Sequence, residues 1–221
     1  MRRSLDESPV LYMDESDMTT AEPQPTASTK VVNVPNAITL ARFLLSIAVF
    51  VLLPLQSYVA AAVVFVIAAA TDWMDGYWAR KYNEVTQVGR VFDPFVDKII
   101  ICGTFIFLAA EPGSQIAAWI AVVIVGREML VTVLRSFIEQ HGGDFSANMP
   151  GKIKMVLQCV AAVASMVVLA YVQQSAEGPY AATLQRIALV SAWLAVASTI
   201  HSGVIYIFAA ARMIRSQATT T

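Results

Sequence analysis

Four aspartates are spaced for metal chemistry. Asp72 and Asp75 stand three residues apart, and Asp93 and Asp97 four apart, at the junction of two apolar stretches. On a helix either spacing places both carboxylates on one face, because residues three and four apart are surface neighbours. Two adjacent helices would then point both pairs inward. Four carboxylates so close repel one another and are costly to desolvate near a bilayer. Arg80, Arg90 and Lys98 are too few and too spread to neutralise them. One or two divalent cations resolve the conflict. All-oxygen donors select hard ions such as Mg²⁺ or Mn²⁺, and Mg²⁺ commonly reaches a protein through carboxylates plus substrate phosphates. A pair of such ions stabilises charge on phosphoryl oxygens and on a leaving group. The competing reading, solvated salt bridges at helix ends, does not explain the paired spacing. Gly76 and Ala79 lie beside the carboxylates, and a helical glycine costs ~1 kcal/mol against alanine. Small residues there suit the close approach of a nucleotide.

The elements that must hold these residues are apolar helices. Hydrophobic residues make up 57% of the 221-residue chain and its mean hydropathy is +0.61, above the usual soluble range. A spanning helix needs ~20 mainly apolar residues, and six stretches qualify, at 36–55, 58–79, 90–110, 115–138, 150–172 and 185–211. The expected fold is an all-α polytopic membrane protein with six transmembrane helices and a cytoplasm-facing polar cavity. Arg90, Asp93, Asp97 and Lys98 precede the clean half of the third stretch, and Arg127 and Glu128 interrupt the fourth. Such intramembrane charges face protein or water. Basic residues fall overwhelmingly on the side shared by both termini, which puts the termini in the cytoplasm.

Residues 1–30 are polar and acidic and read as a flexible tail, with a membrane domain over 31–215 and a short tail over 216–221. The first segment has neither the apolar core of a secretory signal nor the basicity of a transit peptide. A bacterial plasma membrane is the expected location. Net charge −1 gives no reason to expect a nucleic-acid partner. Cys102 and Cys159 lie in apolar stretches and read as small hydrophobes without a disulfide.

The full pattern runs Asp72-x2-Asp75-Gly76-x2-Ala79-Arg80-x8-Gly89-x3-Asp93-x3-Asp97. It resembles the signature of the CDP-alcohol phosphotransferase family at every defined position. The resemblance implies that Asp72, Asp75 and Asp93 bind metal, most simply two ions, while Asp97 completes the site and acts as general base. It also implies that Gly76 and Arg80 contact the CDP moiety, and that Thr86 matches a hydroxyl position near the nucleotide. With Ala79 and Gly89 in the same frame, and Asn36 and Thr39 on the first helix, these are the expected contacts of the CDP-lipid. A homodimer is implied by the resemblance alone. A carboxylate at the edge of the cluster is suited to the base role, since one saturated by metal accepts a proton poorly.

The acceptor must be read from other polar residues. Asn36, Thr39 and Arg42 form one stripe at three-residue steps, with Arg42 either reaching a phosphate or snorkelling to the interface. Arg127 and Arg135 project to nearly the same side of the fourth helix, and Lys152 and Lys154 open the fifth, as anchors or as ligands. Arginine suits a phosphate dianion through paired hydrogen bonds. Arg127, Arg135, Lys152 and Lys154 together supply more positive charge than a neutral alcohol needs, so the expected acceptor carries a phosphate. These segments are similar to those of the phosphatidylglycerophosphate synthase branch of the family. That branch implies CDP-diacylglycerol as donor and sn-glycerol 3-phosphate as acceptor. The cardiolipin, phosphatidylserine and inositol-phosphate branches share much of them. His201 and Ser202 could line the cavity, although a lone histidine in a bundle is more often a packing residue. A prenyltransferase would lack the frame of Gly76, Ala79, Arg80 and Gly89. A divalent-cation transporter would need carboxylates across the membrane, where the sequence has no matching set.

Overall fold

The computed structural model describes residues 34–82, 87–140, 149–174 and 178–218, with side chains described for 37–71, 95–138, 151–174 and 178–213. The expected tail over 1–30 lies outside the described residues. Six helices follow in order: α1 (Val34–Leu52), α2 (Tyr58–Tyr82), α3 (Gln87–Ala110), α4 (Ala118–Gln140), α5 (Met149–Gln174) and α6 (Ala181–Ala218). Each expected span falls on one of them. The largest difference is α6, whose 38 residues overrun the expected 185–211 at both ends. At ~1.5 Å per residue this helix is ~57 Å long, against a bilayer core of ~30 Å. Charged Arg212 breaks the apolar pattern without breaking the helix, because arginine is a good helix former.

Short turns close the helices. After α1 the chain turns through Gln56 at φ 55°, with the amide of Gln56 donating to the carbonyl of Leu53 (2.9 Å) and that of Ser57 to Leu52 (3.0 Å). This left-handed turn satisfies carbonyls that the helix end leaves open. Gly113 and Gln115 do the same work between α3 and α4, at φ 87° and 63°. At this end of the molecule the Tyr58 hydroxyl donates to Glu111 (2.9 Å), and Ser165 of α5 donates to the Ser114 carbonyl (2.6 Å).

The interior interleaves small and polar side chains with large apolar ones such as Leu53, Phe65, Phe105, Leu108, Ile124 and Met166. Ser46, Ala61, Ala68, Thr104, Ala161, Ala162, Ser165, Ala192, Ala195 and Thr199 are fully buried. Large apolar side chains face out on every helix, among them Leu44, Val63, Ile106, Val122, Val160 and Leu194. Soluble proteins rarely leave apolar surface this extensive, whereas small interfacial residues are the rule between helices packed in lipid. Two helical runs, Gly151–Gln174 and Ala181–Met213, are long and apolar enough to cross a membrane by length and composition. The described parts of α1 and α2 hold shorter apolar runs, Ala37–Leu52 and Tyr58–Thr71. Charged residues interrupt α3 and α4.

α3 packs against α1, α4 and α5, while α6 packs against α4 and α5. The approach of α1 to α3 depends on Gly103. A Cβ built there would fall 2.2 Å from Cζ of Phe50, whose ring stacks on Phe107 at a centroid distance of 5.4 Å. Gly103→Val is therefore expected to cost ~1–3 kcal/mol through overpacking, read as a lower Tm of the detergent-solubilised protein. An unchanged Tm would mean that the Phe50 ring swings aside without moving α1.

Candidate functional site

The cytoplasm-side half of α3, as read from the sequence, carries Asp97. Its side chain is 33% exposed, and Arg42 of α1, at 2%, donates from Nη1 to its Oδ1. Arg42 is among the largest fully buried side chains. It does not snorkel to the interface but crosses from α1 to the candidate base. Thr39 and Ser46 are also buried, so α1 turns a polar face formed by positions 39, 42 and 46 into the protein. The Ser46 hydroxyl caps the Arg42 carbonyl at 2.8 Å, which keeps that donor off the apolar core. Asn36 is within α1, and its side chain lies outside the described residues.

Asp72, Asp75, Gly76, Ala79 and Arg80 fall within α2, and Gly89 and Asp93 within α3. Both carboxylate pairs therefore have the helical spacing expected of them. Their side chains, and Thr86 altogether, lie outside the described residues. A set of four carboxylates on helical backbone, with oxygen donors alone, fits a hard divalent cation. Asp97 is the described member of that set.

A second polar cluster sits between α4, α5 and α6. Glu128 of α4 is buried, and its Oε1 accepts from two cations: Lys154 Nζ of α5, and Nη1 of the neighbouring Arg127 at 3.1 Å. Arg127 reaches further. Its Nη2 donates to Ser202 Oγ of α6, and its guanidinium lies over the Tyr206 ring, 5.7 Å from the centroid. A Cβ at Gly203 would sit 3.3 Å from Arg127 Cγ, so the glycine makes room for the arginine to cross. Arg127 Nε remains buried without a hydrogen-bond partner. Lys98 of α3 stands within electrostatic reach of Glu128, Arg135 and Asp97, linking this cluster to the candidate base. Beneath it, Gln158 Nε2 donates to Thr199 Oγ1 at 3.0 Å.

Of the four cations expected at the acceptor, Arg127 and Lys154 meet directly on Glu128, and Arg135 is half-buried near Lys98. Lys152 is exposed and does not join them. Two residues along a helix rotate a side chain by ~200°, so Lys152 and Lys154 face opposite ways. Of the α6 pair, Ser202 is buried against Arg127 while His201 is exposed. Lys98 and Tyr206 were not singled out as acceptor residues by sequence reasoning. Lys98 sits next to Asp97 and was legible as an intramembrane charge, whereas Tyr206 has no local signal in an apolar helix. Glu128 accepts from Arg127 and Lys154 together, so one described carboxylate answers two buried cations. Two buried cations on one carboxylate make a receptor for an anion.

The family pattern for CDP-alcohol phosphatidyltransferase matches residues 32–214. The chain is 39% identical over 145 residues to the CDP-diacylglycerol--glycerol-3-phosphate 3-phosphatidyltransferase of Bacillus subtilis (strain 168), covering 58% of this chain and 74% of that protein. It is 43% identical over 114 residues to the protein of the same name in Pseudomonas fluorescens, covering 50% and 58%. Against that of Rickettsia typhi (strain ATCC VR-144 / Wilmington) the identity is 32% over 178 residues, covering 79% of this chain and 94% of the relative. With the pattern spanning every helix, and a relative matched over nearly its whole length, this chain belongs to the CDP-alcohol phosphatidyltransferase family.

Proposed function

We propose that the protein transfers the phosphatidyl group of CDP-diacylglycerol to sn-glycerol 3-phosphate, giving phosphatidylglycerol phosphate and CMP. The observation that carries a phosphorylated acceptor is the buried meeting of Arg127 and Lys154 on Glu128. A neutral alcohol would leave the second of these cations unanswered. The names of the relatives specify the same donor and acceptor.

In this reading Asp72, Asp75, Asp93 and Asp97 hold Mg²⁺ or Mn²⁺, most simply two ions, which neutralise the pyrophosphate oxygens of the donor when bound. Asn36, Thr39, Gly76, Ala79, Arg80, Thr86 and Gly89 receive the CDP-lipid. Arg127, Arg135 and Lys154 receive the acceptor's phosphate, and Lys152, exposed on the opposite side of α5, anchors that helix at the membrane surface. Asp97 takes the proton of the acceptor hydroxyl as its oxygen attacks the lipid-proximal phosphorus. A new P–O bond forms there, and the bond to CMP breaks. Arg42 holds Asp97 from the α1 side. Holding both substrates in line supplies much of the rate.

The outward-facing apolar side chains on all six helices support six membrane spans in a domain over 31–215, and the distribution of basic residues supports cytoplasmic termini in a bacterial plasma membrane. A homodimer follows from the family likeness. Incorporation of radiolabelled glycerol 3-phosphate into lipid tests the reading. Label is expected in lipid only when CDP-diacylglycerol and a divalent cation are both present, and chelation should bring it to background until Mg²⁺ or Mn²⁺ is restored. Preferential incorporation of serine or inositol phosphate would reassign the acceptor. Absence of any lipid product would leave a transporter.

A further inference from the structure

We infer that Glu128 is a positioning residue for the acceptor's phosphate: it holds Arg127 and Lys154, from two different helices, on one oxygen so that an incoming dianion finds them already converged. This rests on the acceptor reading above. Lys154 of α5 and Arg127 of α4 would otherwise repel each other, and neither has room to reach water, since their side chains are 8% and 10% exposed. A carboxylate at their junction removes that repulsion. It does so without consuming the guanidinium. Arg127 is fixed at Glu128 Oε1, at Ser202 Oγ and over the Tyr206 ring, yet its Nε–H remains a buried donor without a partner. Buried donors are nearly always satisfied in folded proteins, and this one stays available to an incoming oxygen while the rest of the arginine is anchored. Phosphate oxygens match that fork, and arginine pairs with them through two parallel bonds.

Glu128 itself cannot grip the phosphate, because two anions in a dry pocket repel. Its effect is exerted through the cations, and this separates it from Arg127 and Lys154, which would touch the substrate. A glutamate that merely balanced charge would shift folding and both substrates alike. A positioning glutamate shifts the acceptor alone.

The test uses the full chain in lipid nanodiscs, with steady-state kinetics in glycerol 3-phosphate and in CDP-diacylglycerol, and Tm recorded for every variant. Glu128→Gln keeps an acceptor oxygen without charge, and Glu128→Ala removes both. The KM for glycerol 3-phosphate is expected to rise ~10-fold in the first and ~100-fold in the second, the scale of losing one partner of a buried charge pair. The KM for CDP-diacylglycerol should stay within about twofold. In an Arg127→Ala background, Glu128→Ala should add little, since contacting residues are not additive. The inference is overturned if folded variants keep a wild-type KM for glycerol 3-phosphate, if kcat and both KM values move together with Tm, or if the two substitutions multiply independently. Should the wild-type protein make lipid only from an unphosphorylated alcohol, the acceptor reading fails and this inference falls with it. Saturation of the wild type by glycerol 3-phosphate, with Glu128→Ala indistinguishable from it, would remove Glu128 alone.

Discussion

Asp97→Asn is expected to lower turnover by ~10²–10⁴-fold, the range that a positioned general base contributes, while CDP-diacylglycerol still binds. Asparagine preserves the size of the side chain and one oxygen for Arg42, so the α1–α3 contact survives in outline. What it loses is the capacity to accept the acceptor's proton. Because Arg42 is buried at 2% exposure, removal of the charge on Asp97 also weakens a tie between α1 and α3. A fall in Tm should therefore accompany the fall in kcat, and the two are separated by assaying well below the variant's melting temperature. Single-turnover measurement with bound CDP-diacylglycerol is the decisive readout. Near-normal release of CMP in that experiment would take Asp97 out of the base role and leave its pairing with Arg42 as a structural tie.

Arg127→Ala should have the next largest effect, concentrated in the KM for glycerol 3-phosphate. A charge-assisted contact of this kind is worth ~1.5–3 kcal/mol, or about ten- to more than a hundred-fold in KM. Arg127→Lys is expected to recover only part of it, because an ammonium keeps the charge but cannot reach Glu128, Ser202 and a phosphate at once as a planar fork does. Equal damage to the KM for both substrates would mean that the acceptor pocket lies elsewhere.

The helices were legible because their apolar runs are long, and the aspartate pairs because three- and four-residue spacing has one meaning on a helix. What sequence could not supply was the partner of each charge. Arg42 presented two sensible destinations, an outside phosphate or the interface, yet it crosses to Asp97 because α1 and α3 pack closely at Gly103, a tertiary fact. Lys152 and Lys154 read as equivalent at a helix entrance, but rotation about α5 separates them into one exposed and one buried residue. Glu128 pairs with its neighbour Arg127. Its second partner, twenty-six positions on, is visible only once α4 and α5 are both packed on α3 and α6. Helix α6 runs past its apolar span because apolar pattern marks where lipid should stop, whereas backbone hydrogen bonding continues as long as the residues favour it. The convergence of Asp72, Asp75 and Asp93 stays a proposal from the signature.

Alanine, serine and threonine fitted among Phe65, Phe105 and Leu108 inside, with bulky aliphatics also covering the outside, bear on how the protein should be handled. Expulsion of water does little to clamp one helix against the next, so cohesion depends on surface fit and a few polar ties. Harsh short-chain surfactants that wedge between closely fitted helices should inactivate the protein long before its helicity, followed by circular dichroism, declines.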